Sequence, residues 1–105
     1  SKNINVYYSK PSFFPSIRRD ISLLVETKVS SQDLINYIFK ISDQLLIEAN
    51  VFDMYIGKEL GKNLKSIAIA LIFQSAEKTL VDKDVDNRLS LILDNIKSKF
   101  RAIQR

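Results

Sequence analysis

The sequence contains no cysteine and no histidine. Without cysteine there is no disulfide framework and no thiolate metal site. Without histidine the commonest general base and the commonest metal ligand are both missing, and so is every histidine-dependent catalytic triad. Metal chemistry would have to rest on carboxylates alone. Glycine and proline are scarce, with two of each in 105 residues, so their positions mark real punctuation. No apolar run is long enough to span a bilayer, and the sequence starts at Ser1 without an apolar leader. These absences lead us to expect a soluble, cytoplasmic chain with no membrane partner, cut from something longer.

What is present suits one ordinary globular domain. Hydrophobic residues make up 46% and charged residues 27%, enough to bury one modest core and too apolar for disorder. The net charge is +4. A surplus of that size fits a phosphate-bearing partner without requiring one.

Tyr7, Tyr8, Phe13 and Phe14 lie around Pro11 and Pro15. Two prolines this close exclude a helix, so residues 1–14 are expected to form an extended arm ahead of a domain over 15–105. From Ile17 to Glu26 the pattern alternates, with Ile21, Leu23 and Val25 on one face and Arg18, Asp20, Ser22 and Leu24 on the other. That is a half-buried strand. Ser30 or Ser31 then offers an N-cap for a helix carrying Leu34, Ile35, Ile38, Phe39 and Ile41. A second strand is predicted through 47–56, with Phe52, Met54 and Ile56 on one face and Asp53 and Tyr55 on the other. Gly57 and Gly61 bracket a hairpin loop. A third strand over 64–74 puts Ile67, Ile69, Leu71 and Phe73 on one side and Ser66, Ala68 and Ala70 on the other. Asp82 is expected to cap a long helix carrying Val85, Leu89, Ile92, Leu93, Ile96 and Phe100 at steps of three and four. Ile103 is expected to point inward from a short last strand.

Strand, helix, strand, strand, helix, strand is the split arrangement of an α+β, ferredoxin-like βαββαβ sandwich: a four-stranded antiparallel sheet with two helices on one face. The first and third strands are expected at the centre and the second at an edge. The other face of the sheet stays open. Its predicted members are Arg18, Asp20, Ser22, Leu24, Asp53, Tyr55, Ser66, Ala68 and Ala70, with Gln104 from the last strand and Arg105 close by. A planar base would stack on Tyr55, an interaction worth roughly 1–3 kcal/mol. Asp53 points the same way. Its carboxylate accepts hydrogen bonds from base N–H groups and repels phosphate, which suits the Watson–Crick edge of guanine. Ser66 would donate or accept beside it. An ordinary RNA-recognition motif is not expected, because its central strands carry aromatics where this chain has Ser66, Ala68 and Ala70.

Two runs resemble catalytic or metal loops only superficially. Gly57-Lys58-Glu59-Leu60-Gly61-Lys62-Asn63 is one residue short of a phosphate-binding loop and precedes a strand, although its lysines could touch an RNA backbone. Asp82, Asp84 and Asp86 open like a calcium loop, but Asn87 and Leu93 replace its glycine and its last glutamate. Carboxylates there suit a helix N-terminus, as Lys97, Lys99 and Arg101 suit a helix end.

The run Phe14-Pro15-Ser16-Ile17-Arg18-Arg19-Asp20-Ile21 resembles the signature that opens the ferredoxin-fold anticodon-binding domain, found at the C-terminal end of bacterial phenylalanyl-tRNA synthetase beta subunits. Phe52-Asp53-Met54-Tyr55-Ile56-Gly57 is similar to its second motif, and Gly61-Lys62-Asn63-Leu64-Lys65-Ser66-Ile67-Ala68 to its third, which Leu71, Phe73 and Gln74 continue. Thr79-Leu80, Asp82 and Val85 match the start of its last helix. The resemblance covers roughly 12–105 in register.

The resemblance implies an RNA-binding module with no active site or cofactor of its own. Its parent enzyme would use ATP and magnesium to join phenylalanine to its tRNA, pairing the beta subunit with a catalytic alpha subunit as two alpha and two beta chains. The partner implied for this chain is the anticodon loop of the phenylalanine tRNA. The wobble guanine would stack on Tyr55 and bond to Asp53 and Ser66, with Ser22 beside the anticodon. An arginine near the family's C-terminus also touches the loop, a place for which Gln104 and Arg105 compete. Asn63 replaces a commoner lysine. Arg18 and Arg19 are open between phosphate contact and pairing with Asp20. The competing functions for this topology are a small-ligand regulatory domain and a protein-interaction domain. The first needs a tight, often glycine-rich turn at a helix start, and Val29-Ser30-Ser31-Gln32 has no glycine.

Overall fold

A computed structural model describes residues 14–105. The expected arm over 1–14 lies outside the described residues except for Phe14, whose carbonyl accepts a 2.7 Å hydrogen bond from Gln74 Nε2. The elements are β1 (Ile17–Glu26), α1 (Ser31–Ile41), β2 (Leu46–Tyr55), β3 (Leu64–Phe73), α2 (Asp82–Phe100) and β4 (Ile103–Gln104), with a single 3-10 turn over Lys58–Leu60 between β2 and β3. The strands form one antiparallel sheet in the order β2-β3-β1-β4. This is the ferredoxin-like βαββαβ fold expected from the sequence, with β1 and β3 central.

Strict alternation builds the central pair. Ile21, Leu23 and Val25 of β1 and Ile67, Ile69, Leu71 and Phe73 of β3 all turn to one side, where they are buried with Leu34 and Ile38 of α1 and Val85, Ile92 and Ile96 of α2. Both helices therefore lie on the same face, held there by burial of their apolar stripes. Ser30 caps α1: its Oγ accepts from the Asp33 N–H at 3.0 Å.

Three details differ from the sequence-based expectation. Asp82 does not cap α2 but is its first residue. Val81 takes the cap position, and Asp84 reaches back to accept from its N–H at 3.2 Å. This frees the Asp82 carboxylate to meet Arg19 at 3.0 Å. Ile103 does not point inward. It pairs in register with Leu24 on the open side and is 59% exposed. Gln104, expected on the open side, pairs instead with the core residue Leu23. Finally, β2 carries irregularities between Leu46 and Glu48 and between Val51 and Asp53, and the second of these changes the face of Phe52.

One ion pair ties the helical layer to the loop before β2. Arg88 Nε and Nη2 lie 3.0 and 2.9 Å from Asp43 Oδ2. The Arg88 hydrogen bond holds the Asp43 carboxyl below its ordinary 3.8. A lowered folded pKa contributes stability above the ordinary value and loses it as pH falls through the folded one. With side chains 33% and 42% exposed, solvent limits the contribution to about 1 kcal/mol or less.

Candidate nucleic-acid interface

The uncovered face of the sheet is ordered by its register. One row runs Asp53, Ala68, Ser22 across β2, β3 and β1, and the Arg105 N–H continues it by donating to the Ser22 carbonyl at 2.8 Å. The next row runs Tyr55, Ser66, Leu24, Ile103. Opposed residues in antiparallel strands present their side chains to the same face. Asp53, Tyr55, Ser66 and Ser22 therefore lie together in two adjacent rows. Arg105 falls beside Ser22, whereas Gln104 falls on the register of the opposite face.

The members differ in accessibility. Asp53 is exposed and makes no ion pair or hydrogen bond among the described residues, so its acceptor oxygens are available. Tyr55 is 44% exposed. Ser66, between Leu24 and Tyr55, is only 8% exposed, which places its hydroxyl at the floor beneath longer neighbours. Ala68 and Ala70 leave the centre of the face flat.

Tyr55 is held by its own loop. Its hydroxyl donates to the Glu59 carboxylate on the 3-10 turn. That bond raises the Tyr55 pKa above its ordinary 10.0, while nearby Arg105 pulls the other way. The same bond is the largest influence lowering the Glu59 carboxyl. The contact fits over Gly57, where a Cβ would stand 2.3 Å from Glu59 Oε1 and 2.5 Å from the Tyr55 hydroxyl. An added Cβ would meet only the ends of these two side chains, so it would move the pair and leave the backbone, whose φ of −157° is open to any residue, unstrained. Glu59→Ala is expected to bring Tyr55 ionisation down toward 10.0, and Gly57→Ala to do the same by displacing the pair. Ultraviolet titration of the four tyrosines checks this. An unmoved Tyr55 transition in both variants would contradict the contact.

The two arginines of the first motif part company. Arg18 lies on the open face, its Nε 2.7 Å from Asp20 Oδ1. Arg19 turns to the helical face, where Nη2 lies 3.0 Å from Asp82 and 3.7 Å from Asp86 at the start of α2. The pairing with Asp20 thus belongs to Arg18, and Arg19 stands away from the other candidate residues. At the Tyr55 end an open cleft of about 590 Å³ is lined by Thr27, Gly57, Lys58, Gly61, Lys62 and Asn63, with Ile56 and Leu64. Neither lysine has an ion-pair partner among the described residues.

Two residues of this face escaped the alternation rule. Phe52 was expected opposite Asp53 and Tyr55. The irregularity between Val51, paired with Ile69, and Asp53, paired with Ala68, leaves Phe52 as the extra residue. The Arg18 guanidinium carbon sits 5.1 Å from its ring centroid, which places the ring on the open face. Glu59 was read only as part of a loop, and no spacing rule connects it to Tyr55. The described residues include no group of three or more His, Cys, Asp or Glu side chains able to hold a metal ion. No helix among them is long and apolar enough to cross a membrane.

Comparison with known proteins identifies the family. Residues 12–105 match the sequence profile of the ferredoxin-fold anticodon binding domain. The chain is 40% identical over 94 residues to the phenylalanine–tRNA ligase beta subunit of Vibrio parahaemolyticus, covering 90% of this chain and 12% of that protein. It is 44% identical over 85 residues to that of Pseudoalteromonas translucida, covering 81% of this chain and 10% of that protein. Against the beta subunit of Carboxydothermus hydrogenoformans it is 38% identical over 95 residues, covering 90% and 12%. The chain thus spans about one eighth of the length of such relatives. With residues 12–105 matching that domain and residues 14–105 folding as a ferredoxin-like sandwich, the chain belongs to the ferredoxin-fold anticodon-binding domain family.

Proposed function

We propose that the chain is the anticodon-binding domain of a phenylalanine–tRNA ligase beta subunit and that its open sheet grips the anticodon loop of the phenylalanine tRNA. The observation that carries this reading is the grouping of Asp53, Tyr55, Ser66 and Ser22 in two adjacent rows of an uncovered sheet. A guanine lying flat on the Tyr55 ring brings its N–H edge toward Asp53, whose free oxygens accept from it. Ser66 completes the set from the floor. Arg105, Lys58 and Lys62 surround this end with positive charge, offsetting the repulsion that Asp53 and Glu59 exert on phosphate. The chain's own part is to bind and orient RNA. ATP, magnesium and the joining of phenylalanine to tRNA belong to the parent enzyme, in which two catalytic alpha subunits and a second beta subunit complete a heterotetramer working in the cytoplasm.

The test is a titration of the isotope-labelled chain with a phenylalanine anticodon stem-loop, followed through amide NMR shifts. Shifts centred on Asp53, Tyr55 and Ser66 are expected, and a stem-loop with a changed wobble base is expected to abolish them. Silence at millimolar RNA and low salt overturns the reading.

A further inference from the structure

We propose that Phe52 and Arg18 form a second base platform, which stacks the nucleotide adjacent to the one on Tyr55. The inference rests on the function proposed above and adds a site to it. Its starting point is the bulge. With Val51 opposite Ile69 and Asp53 opposite Ala68, Phe52 is the extra residue at the second irregularity of β2. An inserted residue of this kind re-aims a side chain, and such bulges recur beside functional sites. Here the re-aimed side chain is a large aromatic, 51% exposed, on the face that the helices leave open.

The ring is furnished for stacking. The Arg18 guanidinium carbon stands 5.1 Å from the centroid, within cation–π range. Asp20 fixes that guanidinium through its Nε at 2.7 Å. Bases stack on aromatic rings and on guanidinium planes alike, so ring and cation together offer one composite surface. The cation also favours the neighbouring phosphate. Phe52 and Tyr55 lie three residues apart on one strand, a span of about 10 Å at ~3.4 Å per residue. Asp53 stands between them. The floor beside them is Ala68 and Ala70, small enough to leave both bases room to lie flat. Two successive nucleotides, splayed from a loop, would thus be read along the edge strand.

The experiment uses the 105-residue chain with anticodon stem-loops in which 2-aminopurine replaces each base next to the wobble position in turn. Stacking quenches this probe. Quenching is expected at one of these positions on binding. Phe52→Ala should restore emission there and weaken binding about tenfold, within the ~1–3 kcal/mol that a base–aromatic stack is worth. Phe52→Leu, which keeps apolar bulk without a π-face, should behave like Phe52→Ala, and Arg18→Ala should restore emission in part. Unchanged affinity and unchanged emission at every position in Phe52→Ala would overturn the second platform. If Tyr55→Ala still weakens binding in that case, only the second platform falls. If Tyr55→Ala is also without effect, the base-reading function falls with it.

Discussion

Replacing Tyr55 with alanine is expected to lower affinity for the phenylalanine anticodon stem-loop by about 5- to 150-fold, the range set by ~1–3 kcal/mol of stacking. Fluorescence anisotropy with a labelled stem-loop measures it. The ring is 44% exposed and outside the core, so the variant should fold normally, and its amide spectrum should change only around β2. Tyr55→Phe separates two roles. It retains the π-face and loses only the hydrogen bond to Glu59, so most of the affinity should survive. Unchanged binding in Tyr55→Ala would remove this ring from the recognition surface.

The opposite behaviour is expected on the other side of the same sheet. Phe73 is 1% exposed and ends β3 between Ile17 and Leu46. Phe73→Ala deletes a large buried side chain, with an expected loss of about 3–5 kcal/mol. Against the ~5–15 kcal/mol that holds a typical domain together, that is enough to leave a sizeable unfolded population. Urea denaturation should show a much lower midpoint with little change in slope. A midpoint within error of the parent would mean that the packing around Phe73 is not what holds the sheet to its helices.

How far the sequence reveals this molecule depends on how regular each element is. β1 alternates without interruption over Ile17–Glu26, so its limits and both faces follow from the pattern alone. Asp53 and Tyr55 are legible for a related reason. They are two residues apart on the regular side of the bulge, and their shared face survives it. Phe52 is not legible, because one inserted residue shifts the phase of alternation and no composition cue announces it. β4 has only two residues, too short for any period, and the apolar character of Ile103 points the wrong way. The turn that brings Glu59 to Tyr55 is a matter of three-dimensional clearance over Gly57, which spacing does not encode. Periodicity put Asp53, Tyr55 and Ser66 on one surface, and their side-chain chemistry pointed to a guanine. The family resemblance pointed to the same residues and added the wobble position.

The divergence of Arg18 and Arg19 has a consequence for selection. Neighbouring codons specify the same amino acid, yet one side chain faces outward beside Phe52 and the other anchors the first turn of α2. With the proposed function, changes at the first codon would be screened by RNA binding. Changes at the second would cost at most about 1 kcal/mol of stability, from an ion pair whose Asp82 is 83% exposed. In a library that scores abundance and binding separately, this pair of positions would fall into different phenotypic classes, although a substitution matrix treats them alike.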